Sequence, residues 1–124
     1  MSKSKIMVID DDMKSLELME AILTPKGYEV IITSDPLQAV ALIILNKPDL
    51  ILLDVMMPML DGYSLLSEIK KNNTISKIPV VMLTALGFDL NKELAQNLGA
   101  VGYITKPVDS AELIQTVSHL LPVI

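Results

Sequence analysis

The sequence predicts an α/β fold: a doubly wound parallel sheet of five strands, in the order 2-1-3-4-5, assembled from five β/α units. Three observations carry this. Short runs rich in Ile, Val and Leu recur along the 124 residues, apolar residues between them return at helical spacing, and capping residues stand where helices should start and stop.

The first apolar run is Ile6 to Ile9, and Leu16, Met19, Ala21, Ile22 and Leu23 follow at helical intervals, with Gly27 as a stop. The second run is Tyr28 to Ile32. After it, Asp35-Pro36-Leu37-Gln38 offers an N-cap, a proline suited to the first helical position and a capping-box partner, opening a helix with Val40, Ile43 and Ile44 as its apolar positions. The third run, Leu50 to Leu53, precedes a helix predicted over about Tyr63 to Lys71. A fourth run, Val80 to Leu83, leads to a helix from about Leu90 to Leu98, with Gly99 as its stop. The last run is Gly102 to Ile104. Asp109-Ser110-Ala111-Glu112 then repeats the capping box before a helix marked by Leu113, Ile114, Val117 and Leu121. No repeat, low-complexity stretch or linker interrupts this order, so residues 1–124 read as one domain.

Composition bounds the function. Hydrophobic residues make up 51% of the chain and aromatic residues 3%, with a mean hydropathy of +0.49. The core must therefore be built from aliphatic side chains and the eight methionines. A net charge of -5 argues against direct nucleic-acid binding, which needs clustered Lys and Arg. The absence of cysteine excludes disulfides, thiolate metal sites and cysteine nucleophiles. No apolar run reaches membrane-spanning length and no signal-peptide core follows the polar start, so the expectation is a cytoplasmic protein without a membrane partner.

Open parallel sheets bind ligands at the carboxyl ends of their strands. That filter selects Asp10, Asp11 and Asp12 after the first strand, Asp54 after the third, Thr84 after the fourth and Lys106 after the fifth. Each Asp taken alone could be a helix cap. Taken together, Asp10, Asp11 and Asp54 should lie within a few ångströms, because the first and third strands are neighbours in the predicted order. Like charges so close require a raised pKa or a cation, and a hard dication with oxygen ligands suits them: Mg²⁺, with Mn²⁺ as the alternative.

The segments Val8-Ile9-Asp10-Asp11-Asp12, Leu52-Leu53-Asp54-Val55-Met56-Met57-Pro58-Met59-Leu60-Asp61-Gly62, Met82-Leu83-Thr84-Ala85 and Tyr103-Ile104-Thr105-Lys106-Pro107 together resemble the receiver domains of two-component response regulators. The resemblance spans nearly the whole chain. It implies a flavodoxin-like receiver fold in which Asp54 accepts a phosphoryl group from the phosphohistidine of a sensor histidine kinase or phosphotransfer protein. It further implies that Asp11 binds the metal directly, that Asp10 does so mainly through water, and that the Met56 backbone carbonyl completes the protein ligands beside Asp54. Thr84 and Lys106 would engage phosphoryl oxygens, Tyr103 would move inward with Thr84, and Lys106-Pro107 would be a cis bond. The face made by the fourth helix, fifth strand and fifth helix would then alter its affinity for a downstream effector, a fused output domain or a second phosphorylated copy. Apart from self-phosphorylation and slow loss of phosphate, no enzymatic activity is implied. Met56 and Leu86, two places after Asp54 and Thr84, are apolar where some members carry groups that orient a hydrolytic water, which points to slow phosphate loss.

Three rivals remain at this stage. A haloacid-dehalogenase-like phosphotransferase would use Asp10-x-Asp12, but Met13 and the short chain count against it. A flavodoxin-like electron carrier would need hydroxyl and glycine donors where three carboxylates stand. A pseudo-receiver would have the fold without taking phosphate. The only histidine, His119, falls near the end of the last helix and offers no phosphohistidine donor at the crevice. Whether the unit stands alone or forms part of a longer regulator is not legible.

Overall fold

The computed structural model describes residues 3–58, 60–85 and 91–121. Met59, Leu86 and Leu90 lie outside the described residues, so the readings that rest on them have no structural counterpart. Strands β1 (Lys5–Ile9), β2 (Glu29–Thr33), β3 (Leu50–Asp54), β4 (Val80–Ala85) and β5 (Gly102–Lys106) form one parallel sheet in the order β2-β1-β3-β4-β5. Helices α1 (Met13–Leu23), α2 (Ala39–Asn46), α3 (Gly62–Lys71), α4 (Lys92–Asn97) and α5 (Ser110–Leu120) alternate with the strands, as the sequence predicts.

Side chains of a strand alternate between the two faces of the sheet, and that period divides the core in two. Met7, Ile9, Ile51, Leu53, Val80 and Met82 enter one apolar cluster with residues of α2, α3 and α4. Ile6, Val8, Leu50, Leu52, Val81, Leu83 and Ile104 enter the other, with residues of α1 and α5. Every residue of β3 is buried, because the strand is central and helices cover both of its faces. Edge strand β2 is only partly buried.

Caps consume several of the acidic residues. Asp12 accepts from the Lys14 N–H at 3.0 Å, Asp61 from the Ser64 N–H at 2.8 Å, and Asp109 from the Glu112 N–H at 2.9 Å, starting α1, α3 and α5. Asp35 also caps, but what it opens is a 3₁₀ turn, Pro36–Gln38, that runs on into α2. Neither capping box closes reciprocally among the described residues; Gln38 and Glu112 are exposed and their side chains make no return bond. Gly27 and Gly99 adopt the left-handed conformation expected of helix stops. Two apolar expectations differ: Ala21 is exposed, and Ile44 is 39% exposed, pointing away from the core.

Gly62, the first residue of α3, ties that helix to the carboxyl end of β3. Its N–H donates to the Val55 carbonyl at 2.7 Å. A Cβ built there would strike the Asp54 carbonyl oxygen and come within 2.8 Å of the Val55 Cα, so the close approach tolerates only glycine. Gly62→Ala should therefore push the β3 end and α3 apart, lowering stability by about 1–3 kcal/mol. Urea denaturation checks this, and a variant as stable as the parent would show that the loop yields freely.

Candidate functional site

The strand registers carry four of the predicted residues, Asp10, Asp54, Thr84 and Lys106, to the carboxyl end of the sheet. Ile9 pairs with Leu53, so the next residues, Asp10 and Asp54, emerge side by side. Asp54 pairs with Leu83, Thr84 with Thr105 and Ala85 with Lys106. Asp10, Asp54 and Lys106 also share the parity of Val8, Leu52 and Ile104, which places all three side chains on the same side of the sheet. Thr84 and Tyr103 have the opposite parity, toward α4.

The resulting site is charged and mostly buried. The Lys106 ammonium lies 2.8 Å from Asp10 Oδ2 and 3.4 Å from Asp54 Oδ2. Asp10 is fully buried and Asp54 nearly so, while Asp11 is exposed at the mouth. Carboxylate oxygens of Asp10, Asp11 and Asp54 lie within 4.8 Å of one another. Asp10 Oδ1 accepts from the Asp12 N–H at 3.0 Å, and Asp54 Oδ1 from the Met56 N–H at 3.3 Å, which orient the two carboxylates. The Lys106-Pro107 peptide bond is cis, as the resemblance implies.

Burial and then the neighbouring Asp10 push the Asp54 carboxyl up from 3.8 to about 7, although Lys106 and the Met56 N–H pull the other way. Burial alone would lower the Lys106 pKa; its contacts with Asp10 and Asp54 outweigh that and raise it, so Lys106 stays cationic. One cation faces three carboxylates. The donor set is all oxygen, clustered and negative, which fits a hard dication such as Mg²⁺.

Thr84 is 4% exposed, and its hydroxyl has no hydrogen-bond partner among the described residues. A buried hydroxyl left this way is unusual and suits a site whose acceptor arrives from outside. Tyr103 is 44% exposed, with the Lys92 ammonium 4.7 Å from its ring centroid. The Met56 side chain is exposed beside Asp54. Asp12 serves as a cap and does not join the carboxylate cluster, and His119 is exposed on α5, away from the site. Gly62 carries no role in the sequence pattern beyond its place directly after the cap Asp61, which is the one local sign that backbone passes close by.

Comparison with known proteins agrees with this geometry. The response regulator receiver domain family matches residues 6–118. The chain is 40% identical over 120 residues to ycf27 of Cyanophora paradoxa, described as a probable transcriptional regulator, covering 97% of this chain and 49% of that protein. It is 38% identical over 117 residues to the DNA-binding dual master transcriptional regulator RpaA of Synechocystis, covering 94% of this chain and 48% of that protein. The chain thus spans about half the length of these curated relatives. Among solved structures, the receiver domain of Francisella response regulator 1452 superposes with a TM-score of 0.85 at 36% identity, covering 95% of this chain and 96% of that one. The chemotaxis response regulator CheY4 of Vibrio cholerae gives a TM-score of 0.88 at 26% identity, covering 97% of this chain and all of the other. The sheet order, the acidic cluster with its lysine, and these matches lead to one conclusion: the chain belongs to the response regulator receiver domain family of two-component systems.

Proposed function

We propose that Asp54 accepts a phosphoryl group from the phosphohistidine of a sensor histidine kinase or phosphotransfer protein. The observation that carries this reading is Asp54 itself: a nearly buried carboxylate at the end of the central strand, with a lysine 3.4 Å away and two further carboxylates beside it. An Asp54 oxygen attacks phosphorus in line with the P–N bond, which breaks with its electron pair leaving on the imidazole. Asp10, Asp11, Asp54 and the Met56 carbonyl would hold Mg²⁺ or Mn²⁺. When bound, that ion would supply positive charge to the phosphoryl oxygens.

Lys106, 3.4 Å from Asp54, would pair with a phosphoryl oxygen once Asp54 carries one, and the Thr84 hydroxyl would gain an acceptor. Thr84 sits on β4 beside β5, which carries Tyr103 on the same face, so a shift of Thr84 toward the phosphoryl group would be accompanied by an inward turn of Tyr103. Tyr103 would then leave Lys92, altering the α4–β5–α5 face toward an effector, a fused output domain or a second copy. The curated relatives are transcriptional regulators about twice as long, which supports a fused or partnered output; a cytoplasmic setting suits that role. The exposed thioether of Met56 offers no group to orient water, which favours slow loss of phosphate.

Intact mass after incubation with acetyl phosphate and Mg²⁺ should show one phosphoryl adduct, absent in Asp54→Asn and in chelator. An adduct that survives loss of Asp54 would identify a different nucleophile. The adduct should persist well beyond seconds without a phosphatase, and decay within seconds would refute the slow-loss reading.

Stability should carry the same signature. Because the folded pKa of Asp54 lies above its unfolded value of 3.8, the folded chain binds the extra proton between about pH 4 and 7, and stability falls as pH rises through that window. At pH 8 without metal, Asp54→Asn should be more stable than the parent by about 2–4 kcal/mol, with the difference vanishing below pH 4. Added Mg²⁺ should stabilise the parent and have much less effect on the variant. Equal urea midpoints at pH 8 would mean that the Asp54 charge is already balanced.

A further inference from the structure

Helix α2 has two apolar faces, and only one of them is used. Its sequence, Ala39-Val40-Ala41-Leu42-Ile43-Ile44-Leu45-Asn46, contains no charged residue. Ala39 and Ile43 are buried against the sheet. On the other side Leu45 is 77% exposed, Leu37 in the preceding 3₁₀ turn 60% and Ile44 39%, with Ala41 exposed between them. A surface helix ordinarily sets polar residues there, and one that is apolar all round is usually covered.

The order of side chains along this outer face specifies what could cover it. Leu37 lies four residues before Ala41 and Leu45 four after, so the stripe runs large, small, large and is symmetric about Ala41. The flanking charges share that symmetry: Asp35 lies six residues before Ala41 and Lys47 six after, both exposed. An antiparallel helix placed across this face by a two-fold axis at Ala41 sets Leu37 against Leu45 at both ends. It also lets the helices approach closely over the paired alanines and brings Asp35 of each copy toward Lys47 of the other. The opposed helix dipoles run antiparallel in the same arrangement. A chain of net charge -5 meets its copy here through a stripe without charge, so like charges are kept out of the contact.

We propose that the outer face of Leu37, Ala41, Ile44 and Leu45 is a self-association surface, on which a second copy of this chain packs α2 antiparallel to α2. This surface is separate from the phosphoryl site and from the α4–β5–α5 face. The patch is small beside the roughly 800 Å² per partner of a stable complex, so the dimer is weak.

Sedimentation equilibrium up to about 1 mM, without a phosphoryl donor, tests it. The parent should associate; Leu45→Glu should remain monomeric, and Lys47→Glu should weaken association about tenfold by setting Glu against Asp35. Because the chain has no cysteine, Ala41→Cys adds a single thiol at the two-fold axis. Under mild oxidation it should form a disulfide-linked dimer at least about tenfold faster than Ser118→Cys on the exposed side of α5, the dimer holding the two thiols together. A parent that stays monomeric at about 1 mM overturns the proposal and assigns the face to a different partner. A dimer that Leu45→Glu leaves intact, or Ala41→Cys cross-linking no faster than Ser118→Cys, overturns it by placing any association elsewhere.

Discussion

Two buried carboxylates and one ammonium meet at the carboxyl ends of β1, β3 and β5, and their unequal number governs the rest of that edge. Lys106 can balance one of Asp10 and Asp54 but not both. Its closer contact is with Asp10, at 2.8 Å against 3.4 Å for Asp54, and the Asp54 carboxyl is pushed up to about 7 by burial and the neighbouring Asp10. A third carboxylate, Asp11, stands at the mouth. A site built for stability would replace such a cluster with apolar residues. Its presence fits the proposed receipt of a dication and a phosphoryl group at this edge.

The surroundings hold this charge in place through backbone more than through side chains. The Asp12 N–H fixes one oxygen of Asp10 and the Met56 N–H one oxygen of Asp54. Gly62 lets the start of α3 press against the Asp54 carbonyl, so the loop between β3 and α3 has little room to drift. The same economy extends to α3 itself: the Lys70 ammonium reaches the carbonyls of Ser76 and Ile78 at 3.0 and 2.7 Å and anchors the connection into β4, while its aliphatic stem lies against Gly99. Rigid supports of this kind leave the unpartnered Thr84 hydroxyl and the exposed Tyr103 ring as the groups free to respond.

The aspartates at the carboxyl end of the sheet divide by whether they start a helix or turn. Asp12, Asp61 and Asp109 are taken as helix caps, and Asp35 caps a short turn after β2. Asp10, Asp11 and Asp54 cap nothing, although the three acidic residues after β1 look alike in sequence. Helix α2 presents the converse case. Its apolar pattern was readable, yet Ile44 was assigned inward with Ile43, because a segment apolar on every side gives periodicity nothing to discriminate.

By itself, the sequence determined the five β/α units, the helix start at Asp109, and the residues brought to one end of the sheet. Those features rest on local periodicity, capping chemistry and alternation, which short stretches of chain encode directly. The tertiary structure alone decided the pairing of Lys106 with Asp10 at 2.8 Å and Asp54 at 3.4 Å, the orphaned Thr84 hydroxyl, the contact of Gly62 with the β3 end and the outward turn of Ile44. Each depends on register and packing between segments distant in the chain, and a partner across the sheet leaves no mark on the residues beside it.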